Sequence, residues 1–169
     1  MNTQPDKETF VQLIEENKRI IFKICNSYCP QKNVRDDLAQ EIVYQLWKSF
    51  YGFNPDFKFT TWMYRIALNV AISYYRKEIK SNNTISFVEH LMELKDDTDT
   101  SVETENNFNL LHRFIAELKE IDKSILILYL DDKSYKEIAE IIGLTETNVA
   151  TKINRIKETL RNKFSNHKN

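Results

Sequence analysis

Asn148, Thr151, Lys152, Asn154, Arg155 and Lys157 gather on one short stretch of this 169-residue chain, and their chemistry is that of hydrogen bonding and charge, not bond making. Amides, hydroxyls and guanidinium groups pair with base edges, while lysines and arginines neutralise phosphates. A second set of the same kind lies upstream. Arg65, Asn69 and Ser73 recur every four residues and run on into Arg76 and Lys77. Between residues 58 and 80 the basic side chains Lys58, Arg65, Arg76, Lys77 and Lys80 meet a single acid, Glu78. The loop before them carries Tyr51, Phe53, Phe57 and Phe59, flat surfaces suited to stacking on unpaired bases. Most of these aromatics fit a core equally well, and Phe59 and Trp62 are expected there.

Other reactive residue types point nowhere in particular. Cys25 and Cys29 lie four apart on an expected helix, but no second pair accompanies them and His90, His112 and His167 are scattered. A metal site needs about four ligands, so the sequence predicts two buried or partly buried thiols in a reducing cytoplasm and no metal. No Gly-rich phosphate loop, metal-spaced carboxylate cluster or nucleophile signature is evident, so neither a cofactor nor an enzymatic activity on nucleic acid is expected.

The downstream set has to be held by Ser134–Leu160, which reads as helix, short turn and helix. Ser134 and Glu137 have the spacing of a capping box. Ile138, Ile141 and Ile142 supply an apolar stripe, and Ala139 allows a second helix to approach closely. Gly143, one of only two glycines, stands where the first helix must stop in a left-handed residue. Thr145 then caps the second helix. Val149, Ile153, Ile156, Leu160 and Phe164 form its inner face, leaving the polar set on another. This is the arrangement that lays a helix into a DNA major groove. A hairpin with a merely solvated polar face meets the same pattern, so the upstream residues must decide.

Upstream, Phe10, Leu13, Ile14, Ile21, Ile24 and Tyr28 have helical period. After Pro30, Asn33 is the expected N-cap of a second helix buried through Val34, Leu38, Ile42, Leu46 and Phe50. Asp37, Gln40, Glu41 and Gln45 occupy its polar side. A third helix begins near Thr60, with Met63, Ile66, Ala67, Val70 and Tyr74 expected to face the core. With two glycines and three prolines in all, long helices are favoured over a sandwich or barrel. The apolar run Ile125–Leu130 is too short to span a bilayer and no leader-like segment opens the chain, so neither membrane insertion nor secretion is expected.

The formal charge of −1 conceals three blocks. Residues 1–80 carry 12 basic and 9 acidic side chains, and residues 108–169 carry 11 and 9. Between them residues 81–107 hold Lys95 against seven acids. That stretch is expected to be a flexible acidic linker, with a short helix around Phe87 to Leu94. The fold expected is therefore all-α: two small helical domains, 1–80 and 108–169, tethered by 81–107.

D-L-A-Q-E-I-V-Y-Q-L-W at 37–47, F-T-T-W-M-Y-R-I-A-L-N at 59–69 and S-Y-K-E-I-A-E-I-I-G-L-T at 134–145 occur in that order. Together they resemble sigma-70 family factors of the compact, extracytoplasmic-function type, and the resemblance covers nearly all of residues 8–165 outside the linker. It implies a non-catalytic bacterial, cytoplasmic promoter-specificity subunit with two DNA-reading domains, called regions two and four. Its partners would be core RNA polymerase, promoter DNA and, as the family leads one to expect, an anti-sigma factor. On matching positions, Asp37, Gln40, Glu41 and Gln45 would lie on the helix that docks on the polymerase. Asn69 and Ser73 would approach bases of the minus-ten element, with Lys58, Arg65, Arg76 and Lys77 near phosphates, and the Tyr51–Lys58 loop would receive a flipped base. The helix bearing Asn148, Thr151, Lys152, Asn154, Arg155 and Lys157 would enter the major groove at the minus-thirty-five element. Two departures stand out. Ala150 replaces the basic residue common there, and the usual proline before the second helix of the downstream domain is missing, which leaves Asp122 as the expected cap. A stand-alone helix-turn-helix regulator is the rival reading, but it leaves the Asp37–Trp47 helix and the Asn69 stripe without a role.

Overall fold

A computed structural model describes residues 6–29, 31–81 and 102–168, and the chain divides into two compact units at residue 83. Every regular element among the described residues is helical, as the scarcity of turn formers requires. The first unit holds α1 (Lys7–Tyr28), α2 (Lys32–Ser49), a one-turn 3-10 segment (Phe50–Gly52) and α3 (Phe59–Ser81). The second holds α4 (Val102–Ala116), α5 (Glu120–Leu130), α6 (Tyr135–Ile142) and α7 (Glu146–Lys168). Ser81 closes α3 and Val102 opens α4, so helix reaches into both ends of the stretch read as a linker. The short helix expected around Phe87 to Leu94 lies outside the described residues.

In the first unit α1, α2 and α3 pack on one another in all three pairs. Ile24 and Tyr28 of α1, Leu38, Ile42 and Leu46 of α2, and Met63, Tyr64 and Leu68 of α3 are essentially removed from solvent. Each fully buried side chain of this size contributes about 1.5–3 kcal/mol of hydrophobic stabilisation. The α2 face is as its period predicts, apart from Val34, which is half-buried. The α3 face is rotated from the expected one. Tyr64, Leu68, Ala71 and Ile72 join Met63 and Ala67 in the core, while Ile66, Val70 and Tyr74 are half-buried. A helix squeezed between two neighbours buries a broad arc, and the single stripe traced from the sequence covered one edge of it. Leu13 and Ile14 of α1 are likewise half-buried.

Asn33 is not a cap. Gln31 precedes α2 without a side-chain cap hydrogen bond, and Asn33 lies inside the first turn. The α1–α2 junction is tied instead by Arg35, whose Nη1 donates to Asn26 Oδ1 at 3.0 Å. Cys25 and Cys29 are buried thiols, not a disulfide. Burial, followed by the neighbouring Cys29, pushes the Cys25 thiol up to about 12.

In the second unit α5 packs on both α6 and α7, with Ile125, Leu126, Ile127 and Leu128 all buried. The α4 helix packs on α7, where the Phe114 and Phe164 rings meet edge-on at 5.1 Å. The helix-turn-helix is built as its residues dictate. Glu137 N–H donates to Ser134 Oγ at 3.1 Å and Ser134 N–H donates to Glu137 Oε2 at 2.9 Å, a reciprocal capping box. Gly143 takes the left-handed conformation at φ 82° and ends α6. Thr145 Oγ1 then accepts from Asn148 N–H at 3.1 Å to start α7. Asp122, however, does not cap α5. Lys119 precedes that helix, and Asp122 sits in its first turn with its carboxylate turned to Lys152.

Candidate nucleic-acid interface

Two surfaces carry the residues singled out above, one in each unit. On α3, Arg65, Asn69, Ser73, Arg76 and Lys77 are all exposed and follow one side of the helix. Asn69, Ser73 and Lys77 do not stand on a bare ridge. With the half-buried Val70 and Tyr74 and with Glu78 they form one wall of a groove of about 510 Å³, whose other wall is Glu41 and Gln45 of α2. Gln45 Nε2 donates to Glu41 Oε1 at 2.8 Å, which fixes both side chains along the rim. The Tyr74 hydroxyl is raised above its ordinary range by burial first and then by the carboxylates of Glu78 and Asp37. The groove thus combines amide and hydroxyl hydrogen-bonding groups, a lysine and a partly apolar floor.

The four side chains expected to meet the polymerase separate around α2. Glu41 and Gln45 border the α3 groove, Asp37 is exposed, and Gln40 turns to the opposite side. There Gln40 edges a second, apolar groove of about 540 Å³ with Phe10 and Val11 of α1 and Val43, Tyr44 and Trp47 of α2. Sequence reasoning missed this groove because it depends on the packing of α1 against α2; Val11 and Tyr44 on its walls are 49% and 56% exposed.

The aromatic loop is half rooted and half free. Phe50 is buried and meets Phe10 at 5.1 Å, Trp62 at 6.1 Å and Phe53 at 6.1 Å. Phe59 and Trp62, expected in the core, are half-buried members of this cluster, 5.4 Å apart. Tyr51 and Phe57 stay 63% and 69% exposed, the Tyr51 ring lying 6.4 Å from that of Trp47. A loop pinned by a cluster of five aromatic rings therefore presents two more to solvent. Lys58 is exposed beside them.

On α7, Val149, Ile153 and Ile156 are buried while Asn148, Thr151, Asn154, Arg155 and Lys157 are exposed. The basic residues differ in their attachments. Lys152 is half-buried and pairs with Asp122 of α5 at 3.1 Å. Lys157 Nζ donates to Tyr129 Oη at 2.7 Å, and this hydrogen bond raises the lysine above its ordinary range. Lys163 pairs with Glu117 and lies 5.3 Å from the centre of the Phe114 ring. Arg155 has neither an ion pair nor a hydrogen bond with the described residues and projects from the helix unattached. Tyr129 and Glu117 were not singled out from the sequence, and Asp122 was expected only as a helix cap, since nothing local signals a partner 28 to 46 residues away.

Two family models fall on these two units: sigma-70 region 2 on residues 13–80 and sigma-70, region 4 on residues 108–160. RNA polymerase sigma factor YlaC of Bacillus subtilis is 30% identical over 128 residues, 74% of each chain. The chain belongs to the sigma-70 family. The ECF RNA polymerase sigma factor SigW of Bacillus subtilis, 27% identical over 92% of this chain and 89% of its own, places it with the extracytoplasmic-function type. The ECF sigma-E factor of Escherichia coli strain K12 is also 27% identical, over 94% and 87%. Two solved structures share the fold. CnrH in complex with the cytosolic domain of CnrY has a TM-score of 0.69 at 18% identity, covering 95% of this chain and 90% of that one. The sigma factor RpoE in complex with the anti-sigma factor NepR from Bartonella quintana has a TM-score of 0.68 at 16% identity, covering 92% and 96%.

This sigma factor is thus a promoter-specificity factor, a protein that joins core RNA polymerase and promoter DNA at initiation. Region 2 comprises most of α1 with α2 and α3, and region 4 spans much of α4 and all of α5 and α6 with most of α7. No described helix is long and apolar enough to cross a membrane.

Proposed function

We propose that the sigma factor reads its promoter with two differently shaped surfaces and has no catalytic activity of its own. The observation that carries this reading is the contrast between region 2, with its groove and the exposed aromatics of the loop before α3, and the helical face on region 4. The α3 groove and the Tyr51–Lys58 loop suit the minus-ten element after its strands separate. Asn69 and Ser73 hydrogen-bond to unpaired bases, Tyr51 and Phe57 stack on them, and Lys58, Arg65, Arg76 and Lys77 hold phosphates. The binding of separated strands offsets unstacking, which costs a few kcal/mol per flipped base, so no hydrolysable cofactor is needed.

Region 4 takes intact duplex. The α7 helix enters the major groove of the minus-thirty-five element, where Asn148, Thr151, Asn154 and Arg155 face base edges and Lys157 meets phosphate. Asp37, Gln40, Glu41 and Gln45 on α2 engage core polymerase, with Glu41 and Gln45 next to the DNA groove so that the two interfaces adjoin. Residues 81–107 tether domains 1–80 and 108–169. The twenty residues between α3 and α4, 82–101, reach roughly 70 Å extended and average about 25 Å as flexible coil, enough for elements roughly 50–70 Å apart. The factor works in the bacterial cytoplasm, and an anti-sigma factor restrains it. The support for that last partner is the fold relative RpoE, solved in complex with the anti-sigma factor NepR.

The nearly neutral overall charge of the chain favours weak DNA binding by the factor alone. Mixed with core polymerase, it is expected to co-purify and to support promoter-dependent transcription. Tight, sequence-specific binding without polymerase would favour a stand-alone regulator instead.

A further inference from the structure

We propose that Asp122 and Lys152 form a brace that fixes how α7 leaves α5, which makes both of them positioning residues for the minus-thirty-five reading and removes Lys152 from the set that touches bases. The inference rests on the proposed reading of that element by α7.

Lys152 Nζ lies 3.1 Å from Asp122 Oδ1. The two side chains keep only 33% and 23% of their exposure, so water competes weakly for either charge. Drawing Lys152 out to a base edge would strand a partly buried carboxylate without its counter-charge, and it is this loss of one partner that makes such pairs costly to break. Asp122 also sits in the first turn of α5, where the helix dipole favours an acid.

Lys157, five residues further along the same helix, shows what a releasable lysine looks like. Its ammonium is fully exposed, and its partners are the neutral hydroxyl and ring face of Tyr129, at 2.7 Å and at 4.5 Å from the ring centre. Exchanging that hydroxyl for a phosphate leaves no charge behind. Thr151, Asn154 and Arg155 occupy the exposed side of α7 around the braced lysine, with Ile153 and Ile156 buried beneath. Holding Lys152 to α5 therefore sets the roll of the helix about those isoleucines, and with it the direction in which the three exposed side chains point. Asp122, which touches no DNA, becomes a determinant of promoter choice.

The test uses the full chain with core polymerase on promoters randomised at the minus-thirty-five element, and on a second set randomised at the minus-ten element. Asp122→Ala and Lys152→Met should each lower the gain from a good minus-thirty-five sequence by about tenfold, evenly across its positions, because an unpaired charge distorts the whole reader. Preferences at the minus-ten element should stay unchanged in both. Asp122→Asn, close in shape to the native residue, should show the same even loss and guards against misfolding of the alanine variant. The double variant Asp122→Leu with Lys152→Met strands no charge and should return to within about threefold of the native chain, as replacing a whole ion pair by apolar groups does. If Lys152→Met instead erases the preference at a single position, and the double variant keeps that defect, Lys152 reads a base and the brace is overturned. A native chain with no minus-thirty-five preference at all overturns the reading by α7, and the brace with it.

Discussion

Region 2 and region 4 both offer polar side chains at helical spacing, yet they offer them in opposite shapes. The α3 stripe borders a groove shared with α2, and its neighbouring loop projects Tyr51 and Phe57 from an anchored aromatic cluster. The α7 stripe stands on the outside of a single helix over a buried row of Val149, Ile153 and Ile156. A concave, partly apolar surface accepts bases that have left the stack, and a convex helix of ordinary diameter fits the major groove of a closed duplex. By the spacing of their polar side chains alone the two stripes look alike. Under the proposed function, the packing beneath each one is what separates a reader of melted DNA from a reader of intact DNA.

The largest expected difference lies in strand opening. Replacing Tyr51 and Phe57 together by alanine removes two stacking surfaces worth about 1–3 kcal/mol per base. Open-complex formation, followed by permanganate reactivity of unpaired thymines, should fall at least tenfold, while recognition of the minus-thirty-five element persists. Equal loss at both elements would show that the loop serves folding or polymerase docking, and the contrast would collapse.

A smaller and more local effect is expected from Arg155→Ala. If that guanidinium reads a base, discrimination at one minus-thirty-five position drops by about 1–3 kcal/mol and the others hold. A uniform loss over all sequences would make Arg155 a phosphate contact. Ser134→Ala removes the capping box of α6 and should cost about 1 kcal/mol. Its effect should appear in the unfolding of region 4 and leave region 2 untouched, which calorimetry of the full chain can separate.

The smallest effect concerns Cys25. Its thiol lies well above the ordinary value of 9.0, at about 12. The folded state therefore favours the protonated form, so the contribution to stability is whole below about pH 9 and fades as pH rises towards 12. At pH 8 iodoacetamide should modify Cys25 only as fast as the first unit opens. Rapid labelling of the native chain would mean that α1 is looser than its buried face implies.

What could be read in advance follows from the range of the forces involved. The capping box of Ser134 and Glu137, the left-handed Gly143 and the Thr145 cap depend on residues within four positions of one another, and all of them are realised. The buried face of α2 depends on one period and is nearly as legible. The failures are those of distance. Asn33 lost the capping position because α2 starts two residues earlier, and its junction is held by the Arg35–Asn26 contact across the turn. Val70 and Tyr74 share a period with Met63, but α1 and α2 together turn a broader arc of α3 inward and leave those two as groove wall. Lys152 lies on the polar side of α7 by its spacing, and only the fold brings Asp122 within reach of it. The grouping of Glu41 and Gln45 with Asn69 and Ser73 is likewise a property of helix packing.

The claim that two surfaces read two elements is tested most directly by transcription from a library randomised over both, with this chain and core polymerase as the only proteins. Sequencing of the transcribed templates should return two separate blocks of preferred sequence, one and a half to two helical turns apart. Asn69→Ala should flatten the downstream block alone, and Arg155→Ala should alter the upstream block alone. A single block, a lack of transcription, or one substitution that degrades both blocks equally would contradict the account.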